Sequence, residues 1–105
     1  MSDSSTPVAP QAPAVLLERL AGIAGMGAGR RRLVLLLPQL GDFDSLEYAQ
    51  ALVAAQPRIE AVDLAVLAIG IGAEAGRQRF CAFTGFPEAW LQVDRQPDLH
   101  RALGL

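Results

Sequence analysis

Apolar stretches alternate with segments of helical periodicity from residue 14 to the end of the chain. Two stretches, 33–37 and 61–71, are almost uninterrupted by polar residues, the pattern of strands buried on both faces of a parallel sheet. A shorter strand is predicted at 90–93. Helices are predicted before, between and after the strands, at 14–24, about 44–56, 73–84 and within 94–104. Regular alternation of this kind predicts an α/β domain with a central, mostly parallel sheet flanked by helices.

Turn-forming residues set the expected ends of these elements. Asp44 followed by Glu47 has the spacing of a capping box, and Pro57 is expected to lie just beyond the end of that helix. Gly85 is expected to close the next helix in the left-handed conformation. Three glycines within 25–29 resemble part of a dinucleotide-binding fingerprint. They precede the strand instead of following it, so a flexible connector is predicted there.

The composition fits one small domain. A hydrophobic fraction of 51% is ample for a core, and residues 1–13, with three prolines and few large apolar groups, are predicted to be a disordered tail before a domain at 14–105. The net charge of -2 lacks the basic face that a nucleic-acid-binding protein needs. No apolar run approaches the length of a membrane span. We therefore expect no nucleic acid as a partner and no membrane span.

Few residues are available for metal or thiol chemistry. Cys81 and His100 are the only cysteine and the only histidine, so no intramolecular disulfide, zinc site or two-histidine metal motif is expected, and no cofactor. The first residues lack the basic region of a signal peptide, and a cytoplasmic location is predicted. Cys81 is interpreted as a small buried apolar residue, or as a regulatory thiol activated by nearby arginines. His100 is expected at the surface or at a helix cap.

The turn at 38–45 is the best candidate site. It follows the first predicted strand and precedes a helix, and ligands in α/β sheets gather at the carboxyl ends of strands. A helix N-terminus carries partial positive charge, which favours an anion or a thiolate. Ser45 is much harder to ionise than a cysteine and needs an adjacent base. Alternatively, Asp42, Asp44 and Ser45 only cap the helix and shape the turn.

The segment 33–49, LVLLLPQLGDFDSLEYA, resembles the active-site strand, turn and helix of the AhpC/TSA peroxiredoxin-like family. Typical members carry P-x-x-x-T-x-x-C there. Pro38 matches the proline, Asp42 stands at the threonine place and Ser45 at the place of the peroxidatic cysteine. The turn also resembles the F-G-C-P-x-C motif of the antioxidant-enzyme-domain branch, with Gly41 kept and both cysteines replaced, by Asp42 and Ser45.

The second half of the chain resembles the same branch. FCAFTGFP at 80–87, LQVD at 91–94 and LHRALGL at 99–105 are similar to its F-x-x-x-T-G-F-P, L-x-V-D and L-x-x-A-L-G-L patterns, and the whole is similar to cyanobacterial and plastid members. The resemblance implies a thioredoxin-like fold that lacks the last strands and the final helix of a complete member. It also implies a truncated chain, or an incomplete sheet edge open to a protein partner or to self-association.

Three functions remain open at this point. The missing thiols favour a non-catalytic, redox-associated or partner-binding module, a pseudoenzyme of an antioxidant family. The second alternative is a thiol oxidoreductase or peroxidase that acts through Cys81 or through a thiol of a partner. The third is an anion-binding or small-molecule-binding domain at the helix N-terminus after Gly41.

Overall fold

The computed structural model of the chain describes residues 13–27, 29 and 31–105. The predicted tail at 1–13 lies outside this part, except for Pro13, which is the N-cap of the first helix. The elements follow one another as α1 (Ala14–Ala21), β1 (Arg32–Gln39), α2 (Phe43–Ala61), β2 (Ala65–Ile71), α3 (Glu74–Thr84), a 3-10 turn (Glu88–Trp90), β3 (Leu91–Asp94) and α4 (Asp98–Ala102).

The three strands form one parallel sheet in the order β1-β2-β3. Arg32 pairs with Ala65 at the start of β1, and Ala68 pairs with Leu91 at the start of β3. The middle of β2, 66–70, is buried throughout, as its apolar sequence predicts for a strand with neighbours on both sides. The predicted α/β class, with a parallel sheet flanked by helices, is therefore confirmed.

Helices cover both faces of the sheet. Successive side chains of β2 point alternately toward these two faces. Leu67 and Ile69 point to the face covered by α1 and α4, where Leu20 and Leu99 join them in one apolar cluster. Ala68 points to the face covered by α2 and α3. The cluster on that face comprises Leu37, Ala49, Ala68, Phe80, Cys81, Phe86 and Leu91.

A bidentate ion pair holds α1 to the far strand. The guanidinium of Arg19 donates to both carboxylate oxygens of Asp94, at 3.0 and 2.8 Å, and to the side-chain oxygen of Gln92 at 3.1 Å. Both members of the ion pair are partly buried. The planar fork of an arginine matches a carboxylate in this way, so the contact fixes the orientation of α1 on the sheet.

The predicted end of α2 is wrong. The helix continues through Pro57 to Ala61, so β2 begins at residue 65 and not at 61. A proline inside a helix costs about 3 kcal/mol, but the continuation buries Ile59, which recovers about 1.5–3 kcal/mol. Asp63 then adopts a left-handed φ of 53°, a conformation that aspartate tolerates better than most residues, and the chain turns into β2.

The start of α2 also differs from the prediction. The N-cap is Asp42 instead of Asp44, and the Asp42 side chain makes no capping hydrogen bond. Asp44 lies inside the helix, so the predicted capping box of Asp44 and Glu47 does not form. Pro38 does not end β1 but lies inside it, where the pairing with β2 shifts between Leu36 and Gln39. A strand irregularity is a place where the missing N–H of proline is tolerated.

The remaining boundaries agree more closely. Gly85 has a φ of 77°, and its N–H donates to the carbonyl of Cys81 at 2.8 Å, which confirms the predicted left-handed cap of α3. α1 ends at Ala21 with Gly22 as its C-cap, three residues earlier than predicted. Within the described ranges, no helix combines the length and the apolar character needed to cross a bilayer.

Candidate functional site

The turn between β1 and α2 places Ser45 inside the protein. Ser45 is the third residue of α2, and its side chain is 0% exposed. Its hydroxyl donates to the main-chain carbonyl of Gln39 at 3.1 Å. The hydroxyl proton is therefore held by a carbonyl, which cannot act as a base toward it. In this arrangement Ser45 closes the turn and is not poised as a nucleophile.

The carbonyl of Gln39 is the centre of the turn. It accepts the Ser45 hydroxyl and also the N–H of Asp42, at 3.3 Å. The chain then passes through Gly41, whose φ of 103° few other residues adopt. No sequence pattern marks this acceptor, because a main-chain carbonyl is the same whichever side chain its residue carries.

The other predicted site residues of the turn do not form a catalytic group with Ser45. Pro38, Asp42 and Asp44 are exposed, as is Gly41. Two carboxylates, from the N-cap Asp42 and from Asp44 in the first turn, stand at the positive end of the α2 dipole. Their negative charges interact favourably with the helix terminus, and they oppose the binding of an external anion there.

A mainly apolar groove adjoins the turn and is formed together with α3. Its volume is about 290 Å³. The lining residues are Leu40, Gly41 and Leu46 on the α2 side and Gly76, Arg79, Phe80 and Phe83 on the α3 side. Phe83 is 78% exposed, an unusual exposure for a large aromatic side chain. The groove thus offers apolar contacts at the carboxyl end of the sheet, close to the turn that the sequence predicted.

One cation accompanies these apolar residues. Arg79 is the sole charged residue that lines the groove, and among the described residues none forms an ion pair with its guanidinium. The floor is shaped by Leu40, which packs against β2 where Gly70 leaves space. A Cβ on Gly70 would lie only 2.7 Å from a terminal methyl carbon of Leu40. Gly70 therefore sets how deeply Leu40 sits, and so the depth of the groove.

Cys81 lies on the opposite side of α3 from solvent, in the core cluster of the α2–α3 face. The predicted burial of Cys81 is confirmed. Burial raises the pKa of the Cys81 thiol, and the adjacent Arg77 guanidinium opposes this rise only in part. Reactive cysteines have a lowered pKa and clear exposure, whereas Cys81 has a raised pKa and is only 6% exposed.

His100 is buried, and the prediction of a surface or cap position is wrong. It is 4% exposed, and its Nε2 lies 2.7 Å from the carbonyl of Leu37. A carbonyl only accepts, so Nε2 carries the proton, while Nδ1 is buried without a partner in the part of the chain that is described. His100 ties α4 to β1 just before the candidate turn. The sequence around His100 does not mark this contact, because the helix also carries the charged residues Asp98 and Arg101.

No metal centre accompanies the turn or the groove. Across the described ranges, no three side chains of His, Cys, Asp or Glu lie close enough together to hold a metal ion. Comparisons of the chain with models of protein families, with curated proteins and with solved structures find no match. The geometry of the turn and of the groove is therefore the basis for a functional assignment.

Proposed function

We propose that this chain is a non-catalytic, peroxiredoxin-like module that binds a partner at the groove beside the Ser45 turn. The observation that carries the proposal is the state of Ser45. At the place that the resemblance assigns to the peroxidatic cysteine stands a fully buried hydroxyl bonded to a main-chain carbonyl. A serine has no sulfur with which to form a disulfide, and a buried hydroxyl without an adjacent base does not attack peroxide.

A thioredoxin-like fold is part of the proposal. A parallel sheet with α2 and α3 on one face and α1 and α4 on the other is consistent with it, as is a site at the junction of β1 and α2. A single cysteine, buried and reduced, fits the cytoplasm as the location. The alternative of a peroxidase acting through Cys81 is opposed by the burial of that thiol and by its raised pKa.

The partner that the groove fits best is a protein that presents an apolar side chain. Exposed aromatic residues that border a concave apolar surface are typical of protein interfaces. Phe83, 78% exposed on α3, supplies such a contact. Arg79 adds a cation at the same surface, which favours an acidic group next to the apolar one in the partner.

The second candidate function, binding of a small anion after Gly41, is favoured by one observation, the Arg79 guanidinium in the groove. The two exposed carboxylates at the start of α2 oppose it. Amide shifts distinguish the two when the protein is titrated with inorganic phosphate, with phenylacetate and with the neutral phenylacetamide. Shifts around Gly41 and Leu46 with both aromatic probes support an apolar site, and shifts with phosphate alone support an anion site.

A peroxide-consumption assay tests the absence of catalysis. With a thiol reductant present, wild type and Cys81→Ala are expected to consume hydrogen peroxide at the same rate as buffer. A faster, thiol-dependent rate in wild type that Cys81→Ala abolishes would establish the redox alternative and overturn the proposal. Circular dichroism of both proteins ensures that the comparison is made on folded chains.

A further inference from the structure

β1 is an edge strand of the sheet that the described residues form. It stands first in the strand order, and no other described strand pairs with the side that faces away from β2. β1 is eight residues long, whereas β3 at the other edge has only four. Leu33 is 37% exposed and residues 34–36 are half-buried, in contrast to the fully buried centre of β2. A long apolar edge of this kind is a template for another strand.

The hydrogen bonds to β2 identify which groups of β1 face outward. The N–H of Ala65 donates to the carbonyl of Arg31 at 3.0 Å, so the main-chain groups of residue 31 point toward β2. Along a parallel pair the direction alternates from residue to residue. Residues 33 and 35 therefore also face β2, and the N–H and C=O groups of Arg32, Val34 and Leu36 face outward.

β1 has little of the protection that edge strands usually carry. Residues 33–37 include no charged side chain. Arg32 is the one charged residue of the strand, and its guanidinium is occupied by a hydrogen bond to the carbonyl of Met26 at 2.9 Å. Pro38 and the shift in register restrict pairing only at the end of the strand. Neither a charged side chain nor a proline therefore protects the apolar part of the edge, residues 33–37.

We propose that a second copy of this chain pairs with this edge, β1 against β1, antiparallel and about a twofold axis. Val34 then lies opposite Val34 of the second copy, and Arg32 lies opposite Leu36. This register uses all three outward-facing residues of each strand and forms about six main-chain hydrogen bonds. Two other registers are less favourable. A shift of two residues in one direction places Arg32 opposite Pro38, which has no N–H to donate. A shift of two residues in the other direction leaves one fewer hydrogen-bonded residue pair between residues 32 and 36.

The side chains suit the same register. Residues directly opposite each other in an antiparallel pair lie on the same face of the sheet, so Leu33 lies beside Leu35 of the second copy, on the α2–α3 face. Leu35 already packs against the core cluster of that face, and the pairing extends the cluster across the twofold axis. The result is a closed dimer with a continuous six-stranded sheet, because an isologous contact satisfies the same surface on both copies.

Two measurements on the full chain test the pairing. Sedimentation velocity over a wide concentration range is expected to show a monomer that converts to a dimer and to nothing larger. Amide hydrogen exchange at high concentration is expected to show protection at Val34 and Leu36 that is lost on dilution, while Leu33 and Leu35 stay protected throughout. Only pairing at the outer edge produces this alternation.

Two substitutions make the test specific. Leu33→Lys places a charge beside the second strand and is expected to raise the dimer dissociation constant by about tenfold or more. Val62→Lys, at an exposed apolar residue after α2, adds the same charge elsewhere and is expected to leave it unchanged. Val34→Pro removes an outward N–H without removing a bond to β2, and is expected to abolish the dimer.

The results of these measurements distinguish a second copy from other segments that could pair with the edge. A monomer at all concentrations with rapid exchange at Val34 and Leu36 overturns the proposal. Protection of both amides in a monomer means that a segment of the same chain covers the edge, and also overturns it. So does open-ended assembly, or a dimer unaffected by both edge substitutions. None of the groove-lining residues lies in β1, so these results are independent of whether the groove binds a partner.

Discussion

The hydrogen bond between His100 and the main chain of β1 permits a quantitative test of what holds the last helix to the sheet. His100→Phe keeps a planar ring of similar size in the buried position but donates no hydrogen bond. The carbonyl of Leu37, in a residue that is itself buried, then loses the donor that lies 2.7 Å away. A buried acceptor left without a partner costs about 1–3 kcal/mol.

A second effect acts in the opposite direction. The Nδ1 atom of His100 is buried and unpartnered in the described part of the chain, and phenylalanine removes this polar atom as well. The net loss for His100→Phe is therefore expected near the lower limit, about 1 kcal/mol, which lowers the Tm of a domain of this size by about 4–8 °C. His100→Ala also removes the packing of the ring, and its loss should be larger by about 1–2 kcal/mol.

Urea unfolding followed by the fluorescence of Trp90, the only tryptophan, measures these differences. Trp90 packs edge-on against Phe86 at 5.9 Å, so its emission reports on the core. Arg101→Ala, at an exposed position on the same helix, is the control and should agree with wild type within about 0.5 kcal/mol. If His100→Phe is as stable as wild type, or more stable, with an unchanged m-value, the hydrogen bond contributes no net stability and the reasoning is refuted.

Three further predictions concern the groove, the thiol and the α1 contact. Gly70→Ala displaces the side chain of Leu40 into the groove, whereas Gly76→Ala has room on α3 and should stabilise the protein by up to about 1 kcal/mol. Gly70→Ala should therefore be less stable than Gly76→Ala in urea unfolding, and equal stability of the two variants would contradict the packing described. Because the pKa of Cys81 is raised in the folded chain, ionisation of the thiol favours unfolding. Wild type should therefore lose stability relative to Cys81→Ala as the pH rises above about 8.5. Parallel pH profiles of the two proteins in urea unfolding would contradict this prediction. Arg19→Lys cannot keep the bidentate ion pair with Asp94 and should lower the free energy of unfolding by about 1 kcal/mol. Arg95→Lys, at an exposed position, is the control and should be neutral. Equal urea midpoints of the two variants would show that the ion pair contributes no stability.

The candidate turn shows which features of a site local sequence patterns predict and which they do not. The position of a turn between a buried strand and a helix followed from the apolar run, from Gly41 and from the acidic residues that follow it. The burial of Ser45 did not follow, since the third position of a helix is exposed or buried according to where the helix lies on the sheet. The groove was also beyond prediction, because it forms between α2 and α3, and their contact is not encoded in either segment alone.

The sequence by itself determined the α/β class, the order of the elements, the left-handed cap at Gly85 and the buried character of Cys81. Each of these depends on periodicity or on conformational preference within a few residues, which the chain carries locally. Only the tertiary structure decided that α2 continues through Pro57, that His100 is buried against β1 and that β1 is an outer strand of the described sheet. In these cases contacts between residues distant in the chain outweigh local preference. The burial of Ile59 offsets the cost of a proline inside the helix. The carbonyl of Leu37 provides the hydrogen bond that allows the polar side chain of His100 to be buried.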